Sequence, residues 1–124
     1  MVKSFYFVII YAFLLSCQSS VAQEIGADRL IELQSQGAVI VDIRTDEEYS
    51  QGHIAGVKHI DFFSSDFSER MSEFDKDAML VIHCASGGRS AKAVSQLKRL
   101  GFAQVHDYAG GMKDWLQKGY PVEK

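Results

Sequence analysis

The sequence predicts an α/β fold built on a mainly parallel sheet. Three observations predict it. The runs 38–43 and 78–83 are short and continuously apolar, the pattern of strands buried on both faces rather than one. Segments with helical spacing of apolar residues stand between the runs, so strands and helices alternate along the chain. Glycines, among them Gly37, Gly101 and Gly119, follow the helical segments, where chains turn back. Right-handed crossovers between parallel strands then put helices on both faces of the sheet.

The elements follow in order. Residues 28–36 place Leu30, Ile31, Leu33 and Gln34 so that one face is apolar, and Gly37 suits the position past a helix end. Residues 38–43, Ala-Val-Ile-Val-Asp-Ile, form the first clear strand. Thr45 and Glu48 have the spacing of a capping box, which starts a short helix over 46–50. Gly52 and Gly56 mark a loop, and 57–60 is a short strand. Residues 67–74 form a small helix with Phe67, Met71 and Phe74 on one side. The second clear strand is 78–83. Residues 90–100 make a helix with Ala93, Val94, Leu97 and Leu100 on one stripe, and Lys98 and Arg99 suit its C-terminal dipole. Residues 103–108 form another strand, Gly110-Gly111 turns the chain, and Met112, Trp115 and Leu116 make the last amphipathic helix.

Residues 1–22 differ from the rest. Lys3 is the only charge before Glu24, and an apolar run covers residues 5–15. A positive start, a short apolar stretch and a small-residue exit read as a secretory signal. The run is too short for a bilayer span, which takes about 20 residues. Ser20-Val21-Ala22 fits a cleavage site after Ala22, leaving one domain over 23–124. Leu14-Leu15-Ser16-Cys17 also resembles a bacterial lipoprotein box, which would put a lipidated Cys17 at the membrane. Either route makes the protein exported: periplasmic, secreted or membrane-anchored. The chain has two cysteines. With Cys17 removed or lipidated, Cys84 stands alone in a compartment where thiols usually pair, which marks it as reactive or partner-seeking.

Cys84 ends an apolar strand, and Ala85-Ser86-Gly87-Gly88-Arg89-Ser90 leads from it into a helix. Sites in such folds form at the carboxyl ends of strands. A loop closing into a helix start directs several N–H groups inward as an anion cradle. The dipole and Arg89 lower the thiol's pKa. The spacing is Cys-x4-Arg, one residue shorter than the Cys-x5-Arg of cysteine phosphatases. That ring is sized for one sulfur atom, and the charged species it implies is a persulfide on Cys84.

At this point the chain resembles a known family, the single-domain rhodaneses, which are sulfurtransferases. Three sets of residues carry the resemblance: Val41-Asp42-Ile43-Arg44 with Glu48-Tyr49 and Gly52-His53-Ile54-Ala55-Gly56-Val57; the loop Cys84 to Ser90; and Gly110-Gly111 with Trp115 and Gly119-Tyr120-Pro121-Val122. The resemblance implies a three-layer fold with a five-stranded, mainly parallel sheet. It implies Cys84 as sulfur acceptor, with Ala85, Ser86, Gly87, Gly88, Arg89 and Ser90 around the substrate. The donor is then thiosulfate or a persulfide, and the acceptor cyanide or a thiol. Many members carry a basic residue directly after the cysteine where this chain has Ala85, which favours a persulfide or polysulfide donor.

Asp42, Arg44, Glu48 and His53 are expected to support the site. Asp42 and Arg44 brace loops at a strand end, and His53 caps a loop. Arg89 is expected to hold the loop through a carboxylate rather than to bind substrate. Strand alternation turns His83 away from Cys84, and Trp115 is a core anchor. No histidine or cysteine spacing suits a metal, and no cofactor is expected. A net charge of -3 gives no basis for nucleic-acid binding. The protein is expected to be a monomer. Two rival readings are a sulfur-carrier or binding module without turnover, and a phosphatase or arsenate reductase. The intact cysteine loop disfavours the first and the short loop the second.

Overall fold

A computed structural model describes residues 23–124. The expected signal segment, the expected cleavage site after Ala22 and Cys17 lie outside them. Five parallel strands form one sheet: β1 (Gln23–Glu24), β2 (Val39–Asp42), β3 (Lys58–His59), β4 (Met79–His83) and β5 (Gln104–Asp107), in the order β1-β5-β4-β2-β3. The helices are α1 (Ala27–Ser35), α2 (Asp46–Ser50), α3 (Phe67–Met71), α4 (Gly88–Arg99) and α5 (Gly111–Gln117).

Strand alternation sorts the core into two layers. Leu80 and Ile82 of β4 and Val41 of β2 face a cluster built from Phe67, Met71, Ala93, Val94, Leu97 and Phe102. Val81 and Ile40 face the other way, toward Leu30, Leu33, Tyr108, Met112 and Trp115. So α3 and α4 cover one face, and α1 and α5 the other. Cys84, which follows β4, lies on the α4 face. Each large aliphatic side chain buried this way contributes roughly 1.5–3 kcal/mol.

Four of the five strands lie within the predicted runs. The fifth, β1, is two residues long and exposed, and its pairing with β5 comes from tertiary context rather than any apolar pattern. Two helices differ in length from expectation. Helix α3 stops at Met71, leaving Phe74 beyond it, half-buried against the core. Helix α4 begins at Gly88, two residues earlier than predicted, because Gly87 takes a left-handed φ of 100° and its carbonyl accepts the amide of Ala91. Three residues assigned to apolar faces are exposed at the rims: Ile31, Leu100 and Leu116. Leu116 follows Trp115 directly, so it lies about 100° round the helix and faces solvent.

A buried ion pair fixes the carboxyl end of β2. Arg44 Nη2 lies 2.7 Å from Asp42 Oδ2, and Arg44 Nε donates to both carboxylate oxygens. The same guanidinium donates to the carbonyls of Glu48 and Gly52. It thereby ties α2 and the following loop to the sheet. Arg44→Leu leaves the Asp42 carboxylate buried and unpaired. It is expected to cost roughly 3–5 kcal/mol, read as a lower urea midpoint with an unchanged slope.

Candidate active site

The thiol of Cys84 sits where β4 ends, and the residue is 1% exposed. The amide of Gly87 donates to its sulfur at 3.2 Å. The backbone and hydroxyl of Ser90 and the backbone of Ser86 also favour its thiolate. Ser90 belongs to the first turn of α4, where backbone N–H groups have no partner within the helix. Burial pushes the thiol up, but these donors together outweigh it, and the pKa lies below the ordinary thiol value.

The loop needs its carbonyls turned away from the sulfur, and α5 does that. Met112 N donates to Cys84 O at 3.0 Å, and Lys113 N to Ala85 O at 3.0 Å. Both amides come from the first turn of α5. With these carbonyls engaged by α5, the loop comes round so that the Gly87 amide donates to the sulfur. The approach is close enough to require glycine. A Cβ on Gly111 would stand 2.5 Å from Cys84 O and 2.7 Å from Ala85 O, and its φ of +59° disfavours a side chain independently. Gly87 is likewise confined: a Cβ there would meet Ala109 O at 2.5 Å.

Arg89 does not reach into the ring as a free cation. Its Nη1 lies 2.6 Å from Glu48 Oε1 and its Nη2 2.9 Å from Glu48 Oε2, a two-pronged pair. That pair chiefly lowers the Glu48 carboxyl, to about 2. Glu48 also completes the capping box, accepting from Thr45 N while Thr45 Oγ1 accepts from Glu48 N. One carboxylate therefore starts α2 and holds the catalytic-loop arginine. Because its pKa is depressed, its contribution is full above about pH 4.5 and fades as pH falls toward 2.

The remaining predicted residues lie round this centre. Ala85 is half-buried, Ser86 and Gly88 are exposed, and Ser90 is fully buried. His83 is fully buried on the opposite face from Cys84. Its Nδ1 is 3.2 Å from Cys84 O and its Nε2 is 3.7 Å from Asp42 Oδ2. Burial lowers its pKa below the ordinary imidazole value. His53 stacks on Tyr49 at 3.9 Å, and its backbone exchanges hydrogen bonds with Glu123. Its partners are thus structural groups away from the sulfur. On its other side Tyr49 stacks on His59 at 4.2 Å, a contact the sequence did not suggest. The amides of Met112 and Lys113 were missed too. The only signal for them was Gly110-Gly111, which reads as a simple turn. A groove of about 360 Å³ lies between β3 and α3, lined by Lys58, His59, Arg70 and Phe74, and it includes no residue of the Cys84 loop.

A buried thiol at a strand's carboxyl end that accepts a loop amide is the kind of group that can attack an electrophilic centre, with the loop stabilising the anion that results. Comparison with known proteins names the class. The rhodanese-like domain family matches residues 26–118. The chain is 34% identical over 115 residues to Thiosulfate sulfurtransferase 16, chloroplastic, of Arabidopsis thaliana, covering 85% of this chain and 92% of that protein. It is 41% identical over 91 residues to Thiosulfate sulfurtransferase GlpE of Pseudomonas fluorescens, covering 73% and 81%. The crystal structure of a rhodanese-related protein from Thermoplasma volcanium superposes with a TM-score of 0.70 at 33% identity, covering 82% of this chain and 97% of that one. The chain belongs to the rhodanese-like family, and its site is that of a rhodanese-type sulfurtransferase.

Gly111→Ala is expected to push the first turn of α5 off the loop carbonyls. The cost is about 1–3 kcal/mol of stability from the strained φ alone. Alkylation of Cys84 at neutral pH is expected to slow in the folded variant. An unchanged alkylation rate would show that α5 does not orient the loop.

Proposed function

We propose that the protein moves a sulfane sulfur from thiosulfate or a persulfide to cyanide or an acceptor thiol, through a persulfide on Cys84. The observation that carries this reading is the buried thiol at the end of β4 with the Gly87 amide donating to its sulfur. The Cys84 thiolate attacks the outer sulfur of the donor. A new sulfur–sulfur bond forms, and the donor's own bond breaks. Its electron pair leaves with sulfite from thiosulfate or with a thiolate from a persulfide. The terminal sulfur of Cys84–S–S⁻ then carries the charge, within reach of the loop amides. Cyanide or a second thiolate attacks that terminal sulfur, and Cys84 returns as a thiolate. Two half-reactions through a covalent intermediate give ping-pong kinetics.

In this scheme Ala85, Ser86, Gly87, Gly88, Arg89 and Ser90 surround the transferred sulfur. Asp42, Arg44, Glu48 and His53 hold the loops in place. The protein works as a monomer and is exported, either free after cleavage following Ala22 or membrane-anchored through a lipidated Cys17. The composition of residues 1–22 supports export.

Cys84→Ser is expected to abolish cyanide-dependent thiocyanate formation while leaving the fold intact. Mass spectrometry after incubation with thiosulfate, or with a persulfide donor, should show one added sulfur on Cys84 in the wild type alone. Transfer retained in the variant, with the sulfur on another residue, overturns the assignment.

Ala85 sets the donor preference. Glu48 engages Arg89 on both prongs, so the sulfonate of thiosulfate meets backbone donors and no free guanidinium. One charge-assisted hydrogen bond contributes about 1.5–3 kcal/mol. Ala85→Arg is therefore expected to lower the thiosulfate KM by about tenfold or more, with kcat little changed. Kinetics with a small neutral persulfide should stay the same. If the folded variant handles thiosulfate as the wild type does, position 85 does not face the donor.

A further inference from the structure

The turn after β3 puts an aromatic ring into solvent at the edge of the sheet that carries Cys84. Phe63 is 68% exposed, more than any other large hydrophobic side chain among the described residues. Its backbone continues the carboxyl edge of the sheet. Phe62 N donates to Ile43 O at 3.0 Å, and Ile43 N donates to His83 O at 3.0 Å. The residues that follow β3, β2 and β4 thus stand side by side, and Cys84 comes directly after His83.

The fold holds this ring outward. Phe62 takes the inward place, edge-on to Phe67 at 5.1 Å and packed against the cluster that holds Cys84. The Asp61 carboxylate accepts the amide of Phe63 at 2.9 Å, and Asp61 O accepts from Ser64 N, which closes the turn. Beyond Phe62, the Phe63 ring faces the Arg89 guanidinium, whose central carbon lies 5.8 Å from the ring centre. Arg89 belongs to the Cys84 loop and is held in place by Glu48. The ring therefore stands at the rim of the sulfur site, beside a side chain that cannot swing away.

The charge on this rim says what suits it. Segment 61–66 carries two carboxylates, Asp61 and Asp66, and no basic side chain. Both prongs of Arg89 are engaged by Glu48. A small inorganic anion gains nothing from an exposed aromatic face flanked by carboxylates. An uncharged apolar group gains burial against that face.

We propose that Phe63 is a specificity-determining residue of the sulfur-transfer site, whose ring receives the carbon skeleton of an uncharged, apolar acceptor thiol. With that group against the ring, the acceptor's thiolate attacks the terminal sulfur of the Cys84 persulfide. A sulfur–sulfur bond to the acceptor forms, and the bond to Cys84 breaks. Its electron pair stays on Cys84 as the thiolate, and the acceptor leaves as an organic persulfide anion. The proposal rests on Cys84 as the sulfur carrier, and it names the class of acceptor.

The test separates loading from discharge. The full chain is incubated with thiosulfate, freed of excess donor and weighed by mass spectrometry. Absence of the added sulfur overturns the carrier reading, and this proposal with it, before any acceptor is used. With the sulfur in place, its discharge is timed with benzyl mercaptan and with 2-mercaptoethanol, thiols of similar acidity that differ in their apolar group. Benzyl mercaptan is expected to discharge the wild type faster. In Phe63→Ala the ratio of the two rate constants is expected to fall about fivefold, the scale of one aromatic contact. Phe63→Tyr should keep the wild-type ratio. Equal rate constants in the wild type overturn the proposal, as does a ratio unchanged in Phe63→Ala. A loss of the same size for both thiols leaves the ratio unchanged, and would show that Phe63 only supports the loop.

Discussion

Everything about the site depends on keeping a buried sulfur surrounded by N–H groups and clear of carbonyls. A peptide chain alternates donors and acceptors, so a short loop cannot offer only donors without help. Here the help comes from two helix starts. The first turn of α4 supplies amides with no partner inside their own helix, and the first turn of α5 engages the carbonyls of Cys84 and Ala85. The strand before Cys84 makes this possible by bringing it to the sheet's carboxyl edge in the right layer. The catalytic loop is therefore a product of three elements rather than of its own sequence.

The sheet also separates two chemistries that are adjacent in the chain. Cys84 lies on the α4 face, whereas His83 and Asp42 lie on the α1 and α5 face. The imidazole is one residue from the nucleophile and still has no path to act as its base. The thiol's acidity must then come from hydrogen bonds, and the donors round it account for the direction of its pKa. Buried charge on the other face serves architecture: Arg44 satisfies Asp42 and pins two further carbonyls.

Much of this was legible in the sequence because it rests on local rules. Residues 78–83 read as a buried strand because both faces are covered. Thr45 and Glu48 read as a capping box because that motif is defined by spacing alone. The position of Cys84 before Gly87 and Gly88 was enough to indicate an anion cradle. What was not legible depends on residues meeting across the fold. Strand β1 has no apolar signature, and only the edge of β5 makes it a strand. The start of α4 was misplaced because Gly87 caps it without a side-chain signal. Arg89 was expected to find a carboxylate, but Glu48 lies 41 residues away and no pattern links the two. Leu116 looked like core because apolar residues cluster near Trp115, but the helix turns it outward.

The Arg89–Glu48 pair has a wider consequence. An arginine beside a nucleophile usually gives a site a local positive field that draws anions from a distance and weakens with salt. Here the guanidinium and the carboxylate cancel each other beyond their immediate contact. What holds a negative sulfur is a set of fixed peptide dipoles, which act over a few ångströms in a space too small for mobile ions. Such a site exerts little long-range pull on diffusing anions, and its grip at contact is largely insensitive to ionic strength.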